Sequence, residues 1–502
     1  MNTNSNLKTN ETQNRTTLQN IARRVMLTRG LLPEFSPQAI AELSRIQAPA
    51  KVSLATQARD LRDLLWASID NDDSEDLDQL TFAEEMPEGK TKIRVAVADV
   101  DALVKKDCAI DRDAQHNTTS VYTAAQIFPM LPAKLSTNLT SLNPSKDRLA
   151  IVVEMTIGPD GSLLDSDVYR AVVCNHAKLA YNSVAAWLEG KTPTPEAVAA
   201  IEGLAENLAI QDRAAQSMKS LRHAQGALSL ETIEAKMVFK GDKISDLLVE
   251  EKNRAKEIIE DFMIAANGVT VRYLSARGIP SIRRVVRIPR RWDRIVQIAA
   301  EHAFKLPKNP NARKLEIFLT MMKGADPLRF PDLSLAVIKL LGNGEYVAEL
   351  PGEEATGHFG LAVKDYTHST APNRRYTDLI TQRLLKAALE KRPAPYSLDE
   401  LDFLAENCTK KEDEANKVER QVGKSAAALL LQSRIGERFS AMVTGASEKG
   451  TWVRLLDIPV EGMLKSGCKG IDVGDQISVE LVFVDVEQGF IDFKQVGSSG
   501  KR

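Results

Sequence analysis

Cysteine is scarce. The chain carries four, Cys108, Cys174, Cys408 and Cys468, and none stands in a CxxC pair. Neither a zinc knuckle nor a dithiol redox motif is indicated, and free thiols in a reducing compartment are expected. No run of about 18 apolar residues occurs, so no transmembrane helix and no membrane partner are expected. The opening MNTNSNLKTNETQNRTT lacks the apolar core of a secretory signal, which makes the cytoplasm the expected location. There is no internal repeat. Excess charge is missing too: the net charge is −2, which does not by itself mark a nucleic-acid binder.

What is present is unevenly distributed. Between Asp60 and Asp113 there are 16 acidic and 7 basic residues, whereas SIRRVVRIPRRWDR (281–294) holds six arginines and one acid. Separate acidic and basic zones suit a protein that holds cations in one place and phosphates in another. The arginine cluster could equally bond the acid-rich half. At 502 residues with 43% hydrophobic and 27% charged content, the chain has ordinary globular composition and room for roughly two to four domains.

Residues 1–15 read as an Asn/Thr-rich disordered tail. Residues 16–59 read as a short helical segment. It holds a helix from Thr16 to Gly30 and a second helix opened by Ser36 as N-cap with Pro37 at its first position. This segment is expected to pack on the main domain rather than to bind nucleic acid itself. KIRVAVADV (92–100) predicts a buried strand. DRLAIVVEMTI and LLDSDVYRAVVCN flank Gly158-Pro159-Asp160-Gly161, a hairpin signal. A mainly helical stretch follows, with one long helix from about Glu250 to Arg277, another over about Asn373–Lys391 and a third over about Leu398–Ile435. From 436 to 497 short alternating segments predict a five-stranded barrel of OB type. Residues 498–502 read as a tail.

The segment SIDNDDSEDLDQL (68–80) sets six acids within nine residues, Asp70, Asp72, Asp73, Glu75, Asp76 and Asp78. Such crowding is repulsive unless a cation offsets it, and hard divalent cations take carboxylate oxygen and water. Two such ions can clamp the attacking and leaving oxygens of a phosphoryl displacement. The run is not an EF-hand, lacking the glycine at loop position six and the glutamate at twelve. Apolar flanks such as Trp66, Ile69, Leu77 and Leu80 favour a place against a core, with a solvated acidic loop as the alternative.

IDNDDSEDLDQ resembles the acidic signature of the RNB catalytic domain of the ribonuclease II/R family. IRVAVADVDALV, the segment DRDAQHNTTSVYTAAQIFPMLPAKLSTNLTSLNP, IIEDFMIAANGVTVRYL, YTHSTAPNRRYTDLITQRLL and VERQVG resemble further family motifs, in family order, over residues 60–435. The resemblance implies an α+β catalytic domain, a mixed sheet with surrounding helices, followed by an OB-fold RNA-binding barrel. It implies a hydrolytic 3′→5′ exoribonuclease that degrades single-stranded RNA to nucleoside 5′-monophosphates with Mg2+ or Mn2+. Asp70, Asp76 and Asp78 fall on family carboxylates and, with Gln79, form the implied metal set. Arg374 falls on the arginine at the scissile phosphate, and Arg375 and Glu419 on neighbouring channel positions. Tyr122 and Tyr181 fall on aromatics that contact RNA bases.

Read without the family, the arginine pair could be structural, bridging to Asp378, and the two tyrosines could be core or surface aromatics. His368 is expected to be a structural, hydrogen-bonding histidine. The chain also departs from the family. Gln79 stands where the signature closes with a fourth aspartate, Ala371 and Asn373 replace Ser and Ile in the arginine motif, Asn117 replaces a frequent arginine and Gln382 a frequent histidine. Too few residues precede the catalytic domain for the two cold-shock barrels of the larger enzymes, so a short form is expected. An RNA-binding or regulatory protein with weakened catalysis is the alternative that Gln79 motivates. Protein partners are not legible.

Overall fold

The computed structural model describes residues 14–51, 58–232, 234–250, 252–353, 355–447, 450–468, 470–471 and 473–497. Of the tails expected over residues 1–15 and 498–502, residues 1–13 and 498–502 lie outside the described ones, and residues 14 and 15 are helical. Its centre is a seven-stranded mixed sheet. In spatial order its strands are Arg59–Asp60, Leu163–Cys174, Asp147–Ile157, Thr91–Ala98, Gln79–Glu85, Ala67–Asp70 and Ala177–Ala180. The two outermost pairings are parallel and the inner four antiparallel. The Gly-Pro-Asp-Gly turn closes the central hairpin: Gly161 takes φ +84°, the left-handed region glycine enters at little cost, and its N–H donates to Gly158 O at 2.9 Å.

The sheet is short at both edges, with two residues on one side and four on the other, which limits edge-to-edge pairing. The long helix runs from Arg254 to Ser275 and packs Ile258, Phe262, Ala266 and Val269 into the main core. Asn253 caps it by accepting from Lys256 N. The helix thus starts four residues after the expected Glu250, which instead ends a strand, Lys243–Glu250. That strand pairs with Glu234–Lys240 in a hairpin hidden from sequence reasoning inside the expected helical stretch. The helix Tyr376–Leu389 starts after the arginine pair, and the helix Leu398–Leu431 spans 34 residues along one flank.

The N-terminal helix begins at Asn14, two residues before the expected start. It buries Leu18, Ile21, Ala22 and Met26 against Val418, Val422 and Ala426 of the 34-residue helix. Ser36 Oγ accepts from Ala39 N at 3.2 Å and caps the helix Pro37–Leu43. The packing role expected of this segment is the one found. Five strands between Arg438 and Gln495 close into a barrel with its own core. Three helices between Trp292 and Leu341 enclose a separate core around Phe318 and Phe330. Among the described residues no helix is long and apolar enough to cross a membrane.

Candidate active site

The acidic run folds as a strand end, an irregular turn and a strand start, so its carboxylates come from both sides of one gap. Asp70 is the last residue of the strand Ala67–Asp70, and the Ala98 N–H donates to Asp78 O just before the strand Gln79–Glu85. Ser141 pins the turn between them: its hydroxyl donates to Glu75 O at 2.9 Å and accepts from Leu77 N at 3.0 Å. Asp72, Asp73 and Glu75 are exposed, while Asp76 is half-buried and Asp78 is 2% exposed.

Residues 118–122 lie along residues 374–376 and carry the second half of the site. Ser120 N donates to Arg374 O at 3.0 Å and Tyr376 N to Thr118 O at 2.8 Å. This brings Tyr122 OH to Asp76 Oδ2 at 3.2 Å and Arg374 Nε to Asp78 Oδ2 at 3.3 Å. The Arg374 side chain remains 41% exposed, so its outer edge is open. Glu419, on the 34-residue helix, accepts from Tyr122 N at 2.7 Å and fixes the backbone that carries the ring. A cavity of about 130 Å³ opens here, lined by Tyr122, Arg374, Arg375, Glu412, Asn416 and Glu419 among others. Tyr181 follows Ala180, the register partner of Asp70, and so begins its helix at that edge of the cluster.

The electrostatics follow from burial. Burial pushes the Asp78 carboxyl up to about 7; Arg374 opposes the shift and Asp76 adds to it. Burial likewise raises Asp76, opposed by Arg374 and helped by Asp70. Burial works against the Arg374 charge, but Asp78, Asp70 and Asp76 outweigh it and hold the guanidinium above its usual range. Asp70, Asp76, Asp78 and Arg374 therefore share one field. Among the described residues no three His, Cys, Asp or Glu side chains form a ready-made metal cage.

Arg375 takes the bridging role left open by its sequence. It donates to Asp378, itself fully buried, at 2.9 and 2.7 Å, while still lining the cavity. His368 is structural: its Nδ1 meets Tyr346 OH at 2.8 Å, and burial holds it well below its usual range. Gln79 opens the strand directly after Asp78; its backbone pairs with Val97 and it is 8% exposed. Among the described residues, the ion pairs of the arginine cluster run to acids outside the acid-rich half. Arg283 lies between Glu349 and Asp365, Arg284 pairs with Glu412 and Arg287 with Glu345, while Arg290, Arg291 and Arg294 are exposed. Sequence reasoning missed Glu412 and Asn416. Their spacing of seven and three residues before Glu419 puts all three on one helix face, which could have found them. It also missed what Asn373 does: its N–H donates to Asp78 Oδ1 at 2.9 Å.

The model of the RNB domain matches residues 58–391, and that of the RNase II-type exonuclease C-terminal S1 domain matches residues 437–496. The chain belongs to the RNB family. Ribonuclease R of Vibrio parahaemolyticus is 30% identical over 482 residues, covering 88% of this chain and 56% of that protein. Ribonuclease R of Escherichia coli K12 is 29% identical over 506 residues, covering 93% and 61%. The chain thus spans somewhat more than half the length of these RNB relatives. Among solved structures, the apo form of Mycoplasma genitalium RNase R has a TM-score of 0.85 at 23% identity, covering 95% of this chain and 78% of that one. Yeast Ssd1, described as a pseudonuclease, has a TM-score of 0.71 at 17% identity, covering 93% and 57%. The RNB fold therefore serves both a ribonuclease and a pseudonuclease, and activity has to be argued from the site.

Proposed function

We propose that this chain is a hydrolytic 3′→5′ exoribonuclease that degrades single-stranded RNA to nucleoside 5′-monophosphates with the help of Mg2+ or Mn2+. One observation carries the reading: Asp70, Asp76 and Asp78 all act on the charge of Arg374, which pairs with Asp78 at 3.3 Å and lines, with Tyr122, the cavity beside them. Three carboxylates less one guanidinium leave a charge of −2, which one divalent cation would balance. Asp78 Oδ2 is buried and makes no hydrogen bond among the described residues, with the Arg374 guanidinium 3.3 Å away as its ion-pair partner, and every donor in the set is a hard oxygen. The residues fit such an ion, with Asp70, Asp76 and Asp78 as its holders. Magnesium keeps several waters and takes one or two carboxylates directly, so a closed cage is not required. Bound there, it would act as a Lewis acid on a phosphoryl oxygen.

The chain's own residues supply the rest. The open edge of Arg374 faces the cavity, where it can bond a phosphate and stabilise the charge that grows in the transition state. The Tyr122 ring, 40% exposed, offers a stacking face that any base can use, and Tyr181 a second contact. The relatives named Ribonuclease R support this reading. Gln79 supports a second one, an RNA-binding protein with weakened catalysis, because an amide brings no charge to the metal set. Incubating 5′-labelled oligoribonucleotide with Mg2+, Mn2+ or EDTA separates the two. The first reading gives a metal-dependent ladder shortened from the 3′ end. Salt-sensitive binding with no shortening at any metal concentration would establish the second.

A further inference from the structure

The three carboxylates of the cluster are oriented in different ways. Asp78 Oδ1 accepts from Asn373 N at 2.9 Å, and its Oδ2 lies 3.3 Å from Arg374 Nε. Asp70 Oδ1 accepts from Asn71 N at 2.8 Å. For Asp76, the Tyr122 hydroxyl, 3.2 Å from Oδ2, is the one group of another described residue that hydrogen-bonds its side chain. A phenol keeps its proton at neutral pH and an ionised carboxylate can only accept, so Tyr122 is the donor.

Both main chains that meet in this bond are pinned. Ser141 holds the turn on either side of Asp76, through Glu75 O and Leu77 N. Tyr122 belongs to the two-residue strand Val121–Tyr122, which pairs with Ile127–Phe128. Val121 and Phe128 are buried in one core with the N-terminal helix, and Glu419 accepts from Tyr122 N at 2.7 Å. The direction of the Asp76 carboxylate is then left to its own side-chain rotation and to the Tyr122 hydroxyl. A carboxylate that ligates a cation gains from such an outer partner, because the bond fixes its orientation beforehand. The hydroxyl takes one lone pair of Oδ2 and leaves the rest of the carboxylate free.

We propose that Tyr122 is a positioning residue for the metal set: its hydroxyl fixes the Asp76 carboxylate for the divalent cation, while its ring receives a base. The inference rests on the metal-dependent reading above and deepens it. One side chain then links the two halves of the site, since whatever moves the ring also moves the hydrogen bond on Asp76. Phenylalanine keeps the ring and loses the bond, which separates the two roles.

The test is Mn2+ binding to the full chain without RNA, by calorimetry, with RNA affinity and melting measured in EDTA. Tyr122→Phe is expected to weaken Mn2+ binding about tenfold while binding single-stranded RNA and melting as the parent does. Tyr122→Ala is expected to lose affinity for both Mn2+ and RNA. In an Asp76→Ala background, Tyr122→Phe is expected to have no further effect on Mn2+ binding, because the carboxylate it acts through is gone. Parent-like Mn2+ binding by Tyr122→Phe, or an equal loss in the Asp76→Ala background, overturns the proposal. Should Asp76→Ala bind no Mn2+, the comparison of parent with Tyr122→Phe decides alone. If the parent chain binds no Mn2+, the metal-dependent reading and this inference fall together; if parent and Tyr122→Phe bind equally, only the role of the hydroxyl falls.

Discussion

Asp78→Asn should stabilise the metal-free protein while removing its activity. Burial raises the Asp78 carboxyl from 3.8 to about 7, and each tenfold change in proton affinity corresponds to about 1.4 kcal/mol. A carboxyl raised in the folded state contributes its full stability below the unfolded value and loses it as pH rises through the folded value. At pH 8 the ionised Asp78 therefore costs up to about 4 kcal/mol, an upper bound because Arg374 stands 3.3 Å away and the site relaxes. The asparagine mimics the protonated acid, and its Oδ1 can still accept from Asn373 N. Urea denaturation in EDTA should show the variant more stable by about 1–4 kcal/mol at pH 8, with the advantage shrinking toward pH 5 as the parent protonates. An advantage of equal size at both pH values, or a variant less stable at pH 8, would refute the claim that this carboxylate is held ionised at a cost in stability.

Tyr122→Ala should weaken binding of single-stranded RNA by about 1–3 kcal/mol, measured by fluorescence anisotropy in EDTA; an unchanged affinity would remove the stacking role. Arg383 is 4% exposed and bonds Asp101 at 3.1 Å and Asp111 at 2.7 Å. Arg383→Met should lower stability to urea by about 3–5 kcal/mol, since two buried carboxylates lose a partner. Burial, with Arg284 assisting, depresses His358 to about 4. A base depressed in the folded state contributes stability above its unfolded value, so stability should fall by up to about 3 kcal/mol as pH drops from 6.5 through 4. The slope should flatten in His358→Gln, and a parent-like slope in that variant would assign the loss elsewhere.

Local chemistry was legible where one segment decides it. Gly158 to Gly161 announces its hairpin because glycine and a proline-led turn leave the chain few other options, and Ser36 with Pro37 announces a helix start. The six-acid run announces a charged pocket because only a fixed or bound cation makes the crowding tolerable. Long-range partners were not legible. The strand Ser281–Val285 reads as a basic patch, yet Arg283 is buried because Glu349 and Asp365 arrive from distant segments. Asn373 reads as the start of a helix, and its partners Thr140 and Asp78 do not neighbour it in sequence. The hairpin 234–250 was absorbed into a helical stretch because its apolar residues abut those of the following helix.

The central claim is that the Asp78–Arg374 cluster is where RNA is cut. The most direct measurement is single-turnover release of nucleotides from labelled single-stranded RNA with Mn2+, comparing the parent chain with Asp78→Asn at equal bound RNA. Nucleoside 5′-monophosphates from the parent and none from the variant are expected. Release at the parent's rate from Asp78→Asn would contradict the account.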